Sequence, residues 1–469
     1  MPPTSHSILR AVFAGLNDIE EWRLGDSKRA AAKGYPREYA AELIDDYGIL
    51  FLDFSLDAVS GMLVCHEVNG PNGAGSDALT GDSSTRAESE ARQTARRAKD
   101  MGYMRPQGTP TQPLVTIHAH QHWKFFRTGS EFYPRVAQFE DVLNELLPGL
   151  HICVRAATDA LGAEHISVVV GDVPAVAANL AINARTGRFE YLGRPAIFIG
   201  NTNLIPELIR TGKLRRQGND ILDVDFRVFH GWRLAHVIND KALQQNLFRG
   251  TGVRPLRHFE AHSLEEALRC TKQMLVSGPV VLKPNYGSGG AGVRAVAPGM
   301  TDRAIEATLA AIVDDCRAKY GENTEAVMFP IRGFEFVRST DFRQPDGGRL
   351  WDLRFCALFE PGKVKVFPGS LRFAPEAFDE KRFFLGRDQW VSNVSGRQVT
   401  LHRSGLDDEM LAGVGMTAEM LERAMQASAT WAIKAWDRAM RGGTGKAAVY
   451  EDECEEKDIS YYPWDKFFA

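Results

Sequence analysis

VVLKPNYGSGGAGVR, residues 280–294, decides how the rest of the chain is read. An apolar run of the buried-strand type ends in Lys283, and Gly287, Gly289, Gly290 and Gly292 follow. Glycines let a backbone turn sharply and bring its N–H groups against an anion. Lys283 would add a point charge against the same oxygens. The spacing is neither GxxxxGK[ST] nor a GxGxxG opening a helix, which disfavours a P-loop and a Rossmann site. A strand, a glycine loop and a second strand are expected. Alone, such a loop is as well read as a hairpin turn, so its surroundings must decide.

Upstream lies INDKALQQNLFRGTGVR (238–254), with Lys241 at the start of a helical stretch. Downstream come FEFV (334–337), WDLRF (351–355) with Arg354, PGSLRF (368–373) with Arg372, and WVSNVSGR (390–397) with Asn393 and Gly396. This order, over about 236–440, resembles the ATP-grasp superfamily. The resemblance implies that Lys241 and Lys283 hold nucleotide phosphates. It implies that Gly287, Ser288, Gly289 and Gly290 close over them. The FEFV hinge, with Glu335 and Val337, would present backbone to adenine, and an acid nearby would take the ribose. Arg372 would stabilise the transferring phosphoryl group and Arg354 would orient a substrate carboxylate.

The family also binds Mg²⁺ through a D…ExN pair of strands, and nothing after Gly396 supplies one. The acidic tail has Glu451, Asp452, Glu453, Glu455 and Glu456 but no ExN, and reads as a solvated tail. The pair stands instead near the start, in LFLDFSLDAVSGMLVCHEVNGPNGAG (50–75), with Asp53, Glu67 and Asn69. Strand alternation puts Glu67 and Asn69 on one face. Hard cations take oxygen ligands, and Mg²⁺ in phosphate chemistry takes one or two carboxylates plus nucleotide oxygens. The pattern is similar to that of the D-alanine ligase branch, and its position implies a circular permutation. Many members carry an arginine two places before the aspartate. Here that place is Phe51, so its duty would pass to Arg372 or Arg354. Gly70-Pro71 also departs from the residues usual after ExN.

The totals are ordinary for a soluble globular protein. The chain has 469 residues, 44% hydrophobic and 25% charged, with net charge −4, so no global attraction draws it to nucleic acid or anionic membrane. Six scattered cysteines without CxxC argue for a reducing compartment and against structural zinc. Neither a signal peptide nor a run of membrane-spanning length is read, so a cytoplasmic protein is expected. The expected fold class is α/β and α+β: an ATP-grasp fold with a small parallel α/β domain and its metal strands at the N-terminus. The expected divisions are 1–112 (carrying the metal strands), 113–235 (the small α/β domain), 236–325 (nucleotide lobe), 326–445 (second lobe) and 446–469 (tail).

Residues 8–46 are expected to be helical, and 85–102 to form a solvated helix. IHAHQHW sets His118, His120 and His122 on one strand face, where a structural role outweighs metal binding. Cys65 and His66, as strand neighbours, point apart and form no dyad. Lys213, Arg215 and Arg216 read as a solvated patch, and Trp431 and Trp436 as packing residues. The resemblance implies an ATP- and Mg²⁺-dependent ligase that joins a carboxylate to an amine through an acylphosphate. An amino acid or short peptide is the expected substrate, without nucleic acid or membrane, and an assembly of like chains is left open. The alternatives are an ATP-grasp small-molecule kinase and a non-catalytic nucleotide-binding protein.

Overall fold

In Gly48–Leu56 (β2), Leu50, Leu52, Phe54 and Leu56 alternate with Phe51, Asp53 and Ser55, so the two sets lie on opposite faces. The first set is buried in a core shared with Leu421, Met425, Trp431 and Trp436 of the helix Ala418–Arg441. The computed structural model describes residues 37–70, 84–105, 108–120, 132–198, 204–217, 220–222, 234, 237–238, 240–284, 292–320, 328–339, 348–390, 401–403 and 408–441. Within these the fold is mixed α/β, as expected.

The sheet holding β2 joins residues from both ends of the chain. Its order is β1 (Arg37–Ala41), β17 (Gly362–Phe373), β16 (Trp351–Glu360), β2 and β3 (Leu63–Asn69), with β18 (Leu401–Arg403) also on β17. All of its pairings are antiparallel. The helix expected over 8–46 is corrected where it can be seen. Arg37–Ala41 is a strand along Gly362–Val366, because pairing to a sheet edge outweighs local helix preference. Residues 1–36 and the tail lie outside the described residues. The last long helix packs on this sheet, against β16 and β17.

β3 is an outer strand, and side-chain amides satisfy its open edge. Val68 N–H donates to Gln244 Oε1 at 3.1 Å, and Gln244 Nε2 donates to Val68 O at 2.8 Å. Gln245 Nε2 donates to Cys65 O at 3.0 Å. The helix Lys241–Leu247 thus does what a further strand would do. Trp431 Nε1 donates to Gln244 O at 2.9 Å and ties that helix to Ala418–Arg441. Replacing Gln244 by Leu strands buried amide groups of Val68 and is expected to cost about 2–4 kcal/mol. Urea unfolding measures it, and a loss within experimental error would show the clasp to be idle.

The second sheet runs β5 (Ile152–Ala156), β6 (Ile166–Asp172), β4 (Leu114–His120), β9 (Arg194–Phe198), β8 (Arg188–Tyr191) and β7 (Leu180–Asn183). β4, β5, β6 and β9 pair in parallel, as expected, and a β7–β8 hairpin extends the edge antiparallel. The helix Ser84–Asp100 is not merely solvated: Ala91 and Ala98 are buried with Phe139 and Val154 in one of this sheet's cores. His118 is buried against Phe139, ring centroids 4.4 Å apart, which fits a structural role. His120 ends β4, and His122 lies outside the described residues. Lys213 is also no solvated charge. Its Nζ donates to Ala177 O, Ala178 O and Leu180 O at 2.6–2.8 Å, closing the C-terminus of the helix Val173–Asn179. Arg215 and Arg216 fall in β10 (Arg215–Gln217), paired with β11 (Asp220–Leu222).

Glu164, fully buried beside β6, accepts from Arg155 Nε and Nη2 at 3.1 Å each and from Ser167 Oγ at 2.7 Å. Burial would raise its pKa, but Arg155, Ser167 and the Gly162 amide bring it down to about 2. A lowered folded-state pKa adds stability that is present above the ordinary value of 4.5 and lost as pH falls towards 2. Glu164→Gln is therefore expected to cost about 2 kcal/mol near neutrality, with the gap closing as pH drops through that window. Unfolding curves of both proteins across that range measure it. A gap independent of pH would mean the charge contributes nothing.

The third sheet is antiparallel, in the order β12 (His258–Ala261), β15 (Ile331–Glu335), β13 (Val280–Lys283) and β14 (Arg294–Val296). The helices Leu264–Leu275 and Asp302–Tyr320 pack on it. Ser263 caps the first by accepting from Glu266 N–H at 3.1 Å. β13 and β14 are the two strands expected around the glycine loop. Gly287, Ser288, Gly289 and Gly290 lie outside the described residues. Gly292 has φ +68°, which favours glycine, and a Cβ there would also crowd Cys316 Sγ at 3.1 Å and Pro284 Cγ at 3.2 Å.

Candidate functional site

One row of side chains crosses the first sheet. Glu67 on β3 lies opposite Asp53 on β2, and Asp53 lies opposite Arg354 on β16. Arg372 on β17 lies opposite Asp352 on β16. Cross-strand neighbours have their Cβ atoms within about 5.5 Å, so register alone brings acids and arginines into contact.

Asp53 is the hub. Arg354 Nε donates to its Oδ1 at 2.6 Å and Arg354 Nη2 to its Oδ2 at 2.8 Å, a two-pronged pair. Arg372 Nη2 stands 2.9 Å from the same Oδ2, and Asn69 Nδ2 donates to it at 3.3 Å. Asp53, Arg354 and Arg372 side chains are only 5%, 7% and 5% exposed. Burial alone would raise the Asp53 pKa, but the arginines override it and hold the carboxyl well below the usual range. For Arg372, burial disfavours the charge, yet Asp352 and Asp53 hold it more firmly protonated than usual. The Arg354 guanidinium also lies 5.8 Å over the Phe51 ring. Phe51, two places before Asp53, thus supports an arginine from the neighbouring strand.

Glu67 faces the lysines. Lys241 Nζ donates to Glu67 Oε1 at 3.1 Å. Burial would raise the Glu67 pKa, but Lys241 and Lys283 bring it below the usual value. Lys283, at the root of the glycine loop, is pushed down to about 8, by burial first and then by Lys241. It sits 5.3 Å over the Phe334 ring. Two lysines from separate elements therefore converge on one carboxylate. The Asp240 cap, which accepts from Ala242 and Leu243 N–H, starts the helix that carries Lys241.

Plain alternation missed a β-bulge. Asp53 pairs with Glu67 but Phe54 pairs with Cys65, leaving His66 as the extra residue. The bulge sends Cys65 into the core while Glu67 keeps to the charged face. His66 Nε2 lies 2.6 Å from Ser55 Oγ, and burial, then Lys283, pushes its pKa down to about 4. Cys65 and His66 form no dyad, as expected: Cys65 lies in the core, while His66 meets Ser55 on the other face, and the bulge breaks alternation only between His66 and Glu67. Asp352 and Gln244 were also missed. Asp352 stands two residues before Arg354 and shares its strand face, a signal present in WDLRF.

The hinge is braced by charge. Arg254 Nη2 contacts Asp57 Oδ2 at 3.2 Å, and Arg254 Nη1 bonds Glu335 Oε1. Arg257 Nε donates to Glu335 Oε2 at 3.0 Å. Glu335 N–H donates to Arg257 O at 3.0 Å and Phe336 N–H to Pro279 O at 2.9 Å. Glu335 thus serves the chain itself here, and a ribose would have to compete with two arginines. Val337 is nearly buried with Val64, Leu256 and Phe334. Asn393 and Gly396 lie outside the described residues.

Among the described residues no three His, Cys, Asp or Glu are grouped to hold a metal. Asp53, Glu67 and Asn69 do offer two carboxylates and a carboxamide on one face, oxygen donors that fit a hard cation completed by phosphate oxygens. Among the described residues no helix is long and apolar enough to cross a membrane.

No family model and no curated protein matches the sequence. Among solved structures, it is similar to D-alanyl-alanine synthetase A from Vibrio cholerae, at 10% identity and TM-score 0.39, over 69% of this chain and 81% of that one. It is similar to a glutathione synthetase-like effector from Globodera pallida, at 12% and 0.32, over 79% and 82%. It is similar to a biotin carboxylase from Campylobacter jejuni, at 15% and 0.33, over 68% and 59%. With identities and scores this low, what the chain does must come from its own residues.

Proposed function

We propose that this chain is an ATP- and Mg²⁺-dependent ligase that joins a carboxylate to an amine through an acylphosphate. The supporting observation is the convergence, from distant segments, of Lys241 and Lys283 on Glu67 and of Arg354 and Arg372 on Asp53. Four cations around two carboxylates suit a polyanion arriving with a cation. Asp53, Glu67 and Asn69 would hold Mg²⁺, which when bound neutralises phosphate charge. Lys241 and Lys283 would hold the nucleotide phosphates, with Gly287, Ser288, Gly289 and Gly290 above them and Glu335 and Val337 at the base. Arg372 would stabilise charge on the transferring phosphoryl group, and Arg354 would orient the attacking carboxylate. Such chemistry needs mainly positioning and charge neutralisation. The acyl-phosphorus mixed anhydride then yields to an amine, releasing phosphate.

The segment divisions given above, and the order of the chain, belong to the same reading. The strands carrying Asp53 and Glu67 come first, then the small α/β domain, then the nucleotide lobes: an ATP-grasp arrangement in rotated order. Its support is the seating of β2 between β16 and β3 in one sheet.

The test is ADP release from a panel of amino acids and dipeptides. A ligase requires both an acid and an amine, and omitting the amine is expected to lower release about tenfold or more. Release that proceeds with a hydroxyl acceptor and ignores amines would make it a kinase instead.

A further inference from the structure

We infer that Asp53 is a resident stand-in for the terminal phosphate of a nucleotide, holding Arg354 and Arg372 in the free protein and releasing them when that phosphate arrives. This rests on the nucleotide-site reading above. The geometry carries it. Arg354 grips Asp53 with Nε and Nη2 at 2.6 and 2.8 Å, the same fork by which arginine grips a phosphate. Arg372 and Asn69 add two more contacts, at 2.9 and 3.3 Å, both on Oδ2.

An ionised carboxylate offers about two lone-pair sites on each oxygen, and Asp53 Oδ2 already meets three N–H donors while Oδ1 meets one. In this state Oδ2 has no capacity left for a cation, and the arginines are committed away from an anion. The two roles assigned to this cluster therefore compete at Oδ2, and a single exchange frees both. The arginines pass to the incoming phosphate, and the lone pairs of Asp53 open to the cation that accompanies it. Arg372 keeps Asp352 as a second partner, so it stays anchored through the exchange. The Phe51 ring gives Arg354 a surface to lie against. Metal and nucleotide should consequently bind together, and each alone only weakly.

The test uses the imido analogue of ATP, titrated calorimetrically into the wild-type protein and into Asp53→Asn, in EDTA and in Mg²⁺. With the competing carboxylate gone, Asp53→Asn is expected to bind the metal-free analogue about tenfold tighter than wild type, or more. Equal or weaker metal-free binding by the folded variant overturns the exchange. Should the variant not fold, a crystal structure of the wild-type protein with Mg²⁺ and the analogue decides. Arg354 parted from Asp53 and on the phosphate supports the exchange, and the two-pronged pair left intact overturns it. A wild-type protein that binds no analogue even with Mg²⁺ overturns the nucleotide reading itself, and this inference with it.

Discussion

Replacing Glu67 by Gln is expected to lower ADP formation about 10²–10³-fold or more. The substitution keeps the shape and removes one charge, so its effect reads electrostatics rather than packing. That charge stands opposite Asp53, accepts from Lys241 at 3.1 Å and feels Lys283. Without it the two lysines lose the acid between them, and Lys283, already down at about 8, becomes harder to keep protonated. The proposed cation site also loses one of its two carboxylates. Affinity for the magnesium nucleotide should fall together with turnover. Steady-state ADP release and calorimetric binding measure the two effects. A protein that loses thermal stability but keeps full turnover would show Glu67 to be a structural partner of the lysines only. The metal assignment and the rotated chain order would then fall together.

Much of this site was legible from local pattern. The lysine before the glycine loop, the DLR and LRF arginines and the D…ExN strands are all close-range signals. Strand alternation set Glu67 and Asn69 on one face without reference to the fold. What could not be read depends on register between segments hundreds of residues apart. Nothing in LDF or WDLRF says that Asp53 pairs with Arg354, because that follows from β2 lying beside β16. The bulge at His66 was hidden for a similar reason: an extra residue in one strand is defined only against its partner. Gln244 and Gln245 look like surface helix residues until the open edge of β3 comes up against them. Lys213 reads as solvated until a helix end is found beneath it. The strand at Arg37–Ala41 shows the same limit, since its neighbour β17 outweighs a helical preference.

Arg354→Ala is expected to be among the most destabilising substitutions in the chain, at about 3–5 kcal/mol. The cost does not measure what the pair contributes in the native protein. It is the cost of leaving Asp53 ionised inside the sheet after its two closest hydrogen bonds are gone. Arg372 remains at 2.9 Å, so Asp53 keeps one guanidinium, which caps the loss. Two consequences separate this account from a simple packing defect. The double variant Asp53→Leu with Arg354→Met should be less destabilised than Arg354→Ala alone, because no stranded charge remains. The loss should also depend on pH. Wild-type Asp53 titrates well below its ordinary value of 3.8, so its stabilising contribution is present above that value and fades as pH falls below it. In Arg354→Ala the same carboxyl protonates earlier, and the gap between the proteins should narrow on acidification. Guanidinium unfolding near neutrality and near the ordinary carboxylate value measures all three. A penalty that is constant with pH, and undiminished in the double variant, would assign the loss to the guanidinium lying over the Phe51 ring and not to Asp53.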